Sequence, residues 1–284
     1  MNINHILLLI AVLNLSGDLY NIMRLRPHLP RWIMWGNLSA FSVCLAAWLF
    51  APENAGFIAI TALFVYVGTV RLYARRRSPE APLPSSATKL IIIANVVTFV
   101  IQYVNHATDN ARGFIKLGAV YTPLLEQGEW WRVFTAQFLH WGHLHLAFNM
   151  LGLWLLGRNV EAIIGFSRFI ALYLLCGAGG MVIAWQIASL TSPGDPMILL
   201  GASASVLGLV GTQAAIALLA YRRTGNIAAK AQLGSMTQIV ALQAIFDMMV
   251  PEVSSTAHIG GAAVGFVLAY GYFQRKLRAR SSEA

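Results

Sequence analysis

Two polar residues set in long apolar stretches carry the chemistry available to this chain. Ser203 stands in LLGASASVLGLVG, between Gly201 and a run of small residues, and His258 stands in STAHIGGAAVGF. A polar side chain at membrane depth is costly, so it is read first as functional. A serine hydroxyl is a weak nucleophile at neutral pH and needs a base within hydrogen-bond reach, which a histidine supplies. Depth tests the pairing. Ser203 precedes its first basic anchor, Arg222, by 19 residues, and His258 precedes Arg275 by 17. At about 1.5 Å per helical residue these are roughly 28 and 26 Å, so with both anchors at one interface the two side chains share a level. The faces between also suit a close pair: Ser205, Gly208, Gly211 and Thr212 on one segment and Gly261, Ala262 and Gly265 on the other are small. Small faces let membrane helices approach closely.

Acyl transfer also needs donors aimed at a developing oxyanion. HWGHLHLAFNM supplies His145 and Asn149, one helical turn apart on one face and both able to donate. A helix beginning near Ser203 adds free backbone N–H groups and a positive dipole end. Asp247 and Glu252 are the acids nearest His258, and both precede the segment it opens. The expectation is a serine–histidine pair with no third member. Plainer readings compete: a serine in a small-residue helix is commonly a packing residue, and it is the matched histidine and donors that outweigh this. His140, His143 and His145 resemble a metal cluster only superficially, since no HExxH occurs and no carboxylate shares their helix. His140 is read as structural, at the top of the helix, and His143 as interfacial. Asp18 and Asp247 lack a relay partner and the chain lacks an internal repeat, which argues against a transporter. No cofactor and no metal are expected.

These residues must be positioned by membrane helices. Of the 284 residues, 57% are hydrophobic and 11% charged, and the apolar residues come in long runs. That is the composition of an all-α polytopic membrane protein. The net charge of +9 comes from Lys and Arg flanking those runs, with no groove-reading or base-stacking pattern, so nucleic acid is not a partner. Cys44 and Cys176 both fall inside apolar runs, which gives no disulfide framework. Six apolar segments are expected at about 90–105, 143–160, 168–190, 203–221, 233–250 and 258–274. A long connection, Asn105 to Gly142, separates the first two, and connections of that length are more often functional or interface-bound than idle. Three earlier segments, at about 5–23, 31–50 and 56–70, form an amino-terminal module over residues 1–77. SPEAPLPSSAT, residues 78–88, reads as a linker, 89–275 as the core and 276–284 as a tail. The basic clusters at 71–89, 158–168, 222–230 and 275–280 fall on the cytoplasmic side, with the carboxyl terminus. Ser203 and His258 then lie toward the outer leaflet of a plasma membrane, such as a bacterial inner membrane.

Together, GASAS followed by VLGLVG, HLHLAFN, AHIGGAAVG and the WWR of the first outer loop resemble the rhomboid family of intramembrane serine proteases. The resemblance covers about residues 89–275 and implies a six-helix core hydrolysing peptide bonds in or near transmembrane segments of membrane-protein substrates. It implies Ser203 as nucleophile and His258 as base, with an oxyanion hole of His145, Asn149 and the Ser203 backbone N–H. It also implies Trp131 and Arg132 as a loop signature and Glu161 as a structural residue. The bilayer and transmembrane substrates are the implied partners. Ala204 departs from the glycine the family most often has after the serine. The other reading that keeps the fold is a proteolytically inactive binder of membrane proteins, against which the intact Ser203 and His258 stand.

Overall fold

A computed structural model describes residues 39, 40, 42, 85–108, 110–247 and 254–282. The chain divides into two compact units, Met1–Pro82 and Leu83–Ala284. In the first, residues 39, 40 and 42 are helical; the three amino-terminal segments expected from the sequence otherwise lie outside the described residues.

Among its described residues the second unit is all-α apart from one short strand pair. Its long helices are α1 (Ser86–Val104), α5 (His143–Ile164), α6 (Phe166–Thr191), α7 (Ser203–Thr224), α8 (Ile227–Asp247) and α9 (Ser255–Ser282). The connection after α1 holds α2 (Ala111–Lys116), β1 (Val120–Tyr121), α3 (Thr122–Glu126), α4 (Arg132–Thr135) and a 3-10 turn, Ala136–Phe138; β2 (Ile198–Leu199) precedes α7. Among the described residues α1, α6 and α7 are long and apolar enough to cross a membrane. On α1 the outward residues Leu90, Ile93, Val97, Val100 and Val104 are exposed hydrophobics. In a bilayer that face is solvated by lipid rather than stranded in water.

The first turn of α1 lies inside the stretch expected to be a linker. Proline and serine density hides it, but the Ser-Ser-Ala-Thr end is a helix start. Helix starts leave N–H groups without partners, and here a buried carboxylate on α5 takes them. Glu161 Oε1 accepts from the Ala87 N–H at 2.9 Å and the Ser86 hydroxyl at 3.2 Å; Oε2 accepts from the Thr88 N–H at 2.9 Å and its hydroxyl at 2.8 Å.

α7 is the central helix, buried without a break from Ala204 to Gln213. A helix apolar all round belongs inside a bundle. Val206, Leu207, Leu209 and Val210 pack with Leu153, Leu156 and Val160 of α5 and with Phe169, Leu172, Tyr173 and Cys176 of α6. Toward α9 the contact is backbone on backbone: a Cβ at Gly261 would overlap the Ala204 carbonyl, and one at Gly265 would overlap the Gly208 carbonyl. Both pairs are 57 residues apart, so the two helices run in one direction in a single register. Thr212 adds a hydroxyl donated to the Gly265 carbonyl at 3.2 Å. Ser205, expected on this seam, points elsewhere and donates to Gln137 Oε1 at 3.0 Å, while Gln137 Nε2 donates to the Val133 and Leu174 carbonyls.

The long connection is packed rather than loose. Val120, Leu125, Val133 and Ala136 are buried against Ala178, Met181 and Ala184 of α6. β1 pairs antiparallel with β2, Val120 opposite Leu199 and Tyr121 opposite Ile198. The ladder continues through Thr122, whose N–H donates to the Met197 carbonyl at 3.1 Å and whose hydroxyl accepts from the Met197 N–H at 2.9 Å. This pairing satisfies backbone that would otherwise be irregular at membrane depth.

Candidate active site

Ser203 is the first residue of α7 and His258 lies in the first turn of α9, so both sit where a helix begins. The glycine seam below sets the two helix starts at one level. His258 Nε2 lies 2.5 Å from Ser203 Oγ. Ser254 caps α9, its hydroxyl accepting from the Ala257 N–H at 3.2 Å, and its carbonyl accepts from the His258 N–H at 3.2 Å. His258 is therefore anchored through its backbone as well as its ring.

The expectation that no carboxylate reaches His258 is corrected by the structure. Asp247 Oδ2 lies 2.6 Å from His258 Nδ1, and the aspartate side chain is fully buried. Its other oxygen accepts from Gln243 Nε2 at 2.7 Å. The physical reason is that Asp247 ends α8 and Ser255 begins α9, so the end of one helix lies beside the start of the next. The one acid of the 21-residue helix α8, placed at its end after a largely apolar stretch, was the available signal.

Gly201 shapes the approach to Ser203. Its φ of +120° is a conformation that favours glycine, and a Cβ there would stand 2.7 Å from His145 Cε1. Its N–H donates to the Ala136 carbonyl at 2.9 Å, so it is not a donor for an oxyanion. The Ser203 N–H, at the first position of α7, has no acceptor within the helix.

His145 Nδ1 accepts from the Trp141 N–H at 3.3 Å. That fixes the proton on Nε2, which makes His145 a donor on the side nearest Gly201. Asn149 lies one turn further along α5, 6% exposed, and its Nδ2 donates to the His145 carbonyl at 2.9 Å. A small cavity is lined by His145, Gly201, Ser203, Ser254 and His258 together with Trp141, and not by Asn149. It gives about 30 Å³ of room for the centres of water-sized molecules, enough for one or two waters.

The remaining residues singled out from the sequence lie in the connection between α1 and α5 and at the start of α7. His140 is fully buried, its ring 5.1 Å from that of His145, with Nδ1 3.3 Å from the Phe138 carbonyl. Burial, with the His145 imidazole second, pushes its pKa down to about 3. Gln102 holds its backbone, accepting from the His140 N–H at 2.9 Å and donating to its carbonyl at 3.2 Å. Arg132 is buried and ties the connection together: it donates to the carbonyls of Ile115 and Ala119 at 2.7 and 3.0 Å and pairs with Glu129 at 2.7 Å. Its guanidinium stands 4.6 Å from the ring centre of Trp131, which is half exposed. The Ala204 methyl is buried, and a Cβ at Gly180 on α6 would stand 3.1 Å from it. The extra carbon is accommodated because the neighbour has none.

A hydroxyl held on an imidazole, beside a helix start and a neutral N–H donor, is an arrangement able to make and stabilise an oxyanion. Comparison with known proteins agrees in kind. The Rhomboid domain family matches residues 127–275, just over half of the chain. Rhomboid protease GluP of Bacillus subtilis (strain 168) is 31% identical over 186 residues, 64% of this chain and 34% of its own length. RHOMBOID-like protein 5 of Arabidopsis thaliana is 33% identical over 155 residues, 55% of this chain and 48% of its own. Rhomboid protease AarA of Providencia stuartii is 26% identical over 202 residues, 65% of this chain and 72% of its own. The chain thus spans about a third of the length of GluP and about half that of the plant protein.

Proposed function

The chain belongs to the rhomboid family of integral membrane proteins, and from that premise we propose that it is an intramembrane serine protease acting on transmembrane protein substrates. The observation that carries this reading is the 2.5 Å approach of His258 Nε2 to Ser203 Oγ beside a water-sized cavity. In the proposed reaction His258 takes the hydroxyl proton as Ser203 attacks the scissile carbonyl. The oxyanion is met by the Ser203 N–H and the His145 Nε2–H, with Asn149 either adding its own amide or supporting His145 from below. His258 then passes its proton to the leaving amine, and water from the cavity hydrolyses the acyl-enzyme.

The core of residues 89–275 is proposed to carry the reaction, with residues 1–77 as an accessory membrane module. The proposed setting is a bacterial inner membrane with the site on the outer side. The test is labelling by a serine-reactive fluorophosphonate and cleavage of a panel of transmembrane substrates. The parent labels and cleaves, and Ser203→Ala does neither. A parent that stays unlabelled and uncleaving at all concentrations points instead to an inactive binder of membrane proteins.

A further inference from the structure

We infer that Asp247 is a positioning residue for His258, making the proposed site a serine–histidine–aspartate array; the inference rests on the protease reading above. An ionised carboxylate can only accept, so its 2.6 Å contact requires the proton on His258 Nδ1. The lone pair is then left on Nε2, the nitrogen that faces the Ser203 hydroxyl at 2.5 Å. Without that choice the imidazole could carry its neutral-state proton on Nε2 and present Ser203 with a second donor. Asp247 is itself fixed from behind, since Gln243 Nε2 donates to Oδ1 and leaves Oδ2 alone to meet the ring. The arrangement also links α8 to the site: the end of one helix sets the tautomer of a residue at the start of another.

The Gln243 contact turns this into a test that a purely structural role would fail. In Asp247→Asn the amide oxygen keeps the Gln243 N–H, so the amide N–H takes the place of Oδ2 and donates to Nδ1. The ring is driven to the wrong tautomer although shape and hydrogen bonding survive. Asp247→Ala loses the packing but imposes no tautomer. A scaffolding role ranks Ala as the more damaging change; tautomer control ranks Asn as the more damaging.

The experiment uses the full chain in detergent micelles, with kcat and KM corrected for active protein by fluorophosphonate titration and for folding by thermal melting. Asp247→Asn is expected to lose about 10³- to 10⁴-fold in kcat with KM within about threefold of the parent, and Asp247→Ala to lose less. Nitrogen-15 histidine spectra of the parent, with the His258 signals identified by their loss in His258→Gln, are expected to show Nδ1 protonated and Nε2 bare. Those spectra need no Asp247 variant to fold. A parent His258 protonated on Nε2, or an Asp247→Asn that cleaves like the parent, overturns the inference. A parent that neither labels nor cleaves overturns the protease reading instead, while the spectra still decide who holds the proton.

Discussion

A Cβ at Gly201 would stand 2.7 Å from His145 Cε1, so the side chain that glycine lacks is what leaves the imidazole room. Gly201→Ala strains a φ of +120° and drives a methyl into His145 Cε1. We expect a stability loss on the order of 1 to 3 kcal/mol and a larger fall in kcat than in folded yield, read by melting and by cleavage. Removing the His145 donor outright is expected to cost about 100- to 1,000-fold in turnover while probe labelling of Ser203 stays detectable. Asn149→Ala is expected to cost less, because Asn149 does not line the cavity. Equal rates in both variants and the parent would move the oxyanion to the Ser203 N–H alone, the Gly201 N–H being already committed to Ala136. His140 makes a pH prediction. Its folded pKa of about 3 lies below the ordinary 6.5, so the unfolded chain binds the extra proton and stability falls as pH drops from 6.5 toward 3. In His140→Gln the Tm of the purified protein should fall less steeply across that window. Ser203, His258 and His145 were legible in the sequence because each is a polar group in an apolar run with a partner type elsewhere. Asp247 was visible as a type but not as a partner: eleven residues and a helix boundary separate it from His258, and spacing does not report which way the chain turns between them.

Among the elements, the six long helices follow from apolar runs, and most observed ends fall within four residues of the expected ones, but α8 begins six residues earlier and α9 runs eight residues further, into its basic end. The amino-terminal end of α1 was hidden because serine and threonine serve linkers and helix starts alike, and only the distant Glu161 distinguishes them. Glu161→Gln places an amide N–H against donors from Ser86, Ala87 or Thr88. It should destabilise the fold by on the order of 2 to 4 kcal/mol, seen as a lower Tm, with cleavage per folded molecule nearly unchanged. The two-residue strands were not legible at all: β1 and β2 are too short for any alternation to register, and their paired residues lie 77 and 79 positions apart. Gly261→Ala tests the seam. A methyl there meets the Ala204 carbonyl, so α7 and α9 must separate and the Ser203–His258 contact must lengthen. Labelling by the fluorophosphonate should fall along with stability, whereas Gly234→Ala on α8, where a Cβ meets nothing within 4 Å, should change neither.

For the molecule as a whole, the basic residues that flank the apolar runs support the proposed orientation. If the three amino-terminal segments all span, Arg24, Arg26 and Arg31 join the cytoplasmic clusters and the amino terminus lies outside, so a cysteine introduced as Ile3→Cys is expected to react with a membrane-impermeant thiol reagent from the outer side of intact cells; reaction from the cytoplasmic side alone would show that the first segment does not span. The seam between α7 and α9 carries one more consequence. Because Ser203 and His258 are spaced mainly by main chain resting on main chain at Gly261 and Gly265, the two helices behave as one machined part, with little compliant side chain between them to act as a spring. If the site admits a peptide, as the proposed function requires, the breathing that opens a space sized for one or two waters takes place around this part and not through it. On the proposed function a covalent bridge pinning α7 to α9 is expected to leave turnover intact, with the opening hung on some other helix or on the loops above.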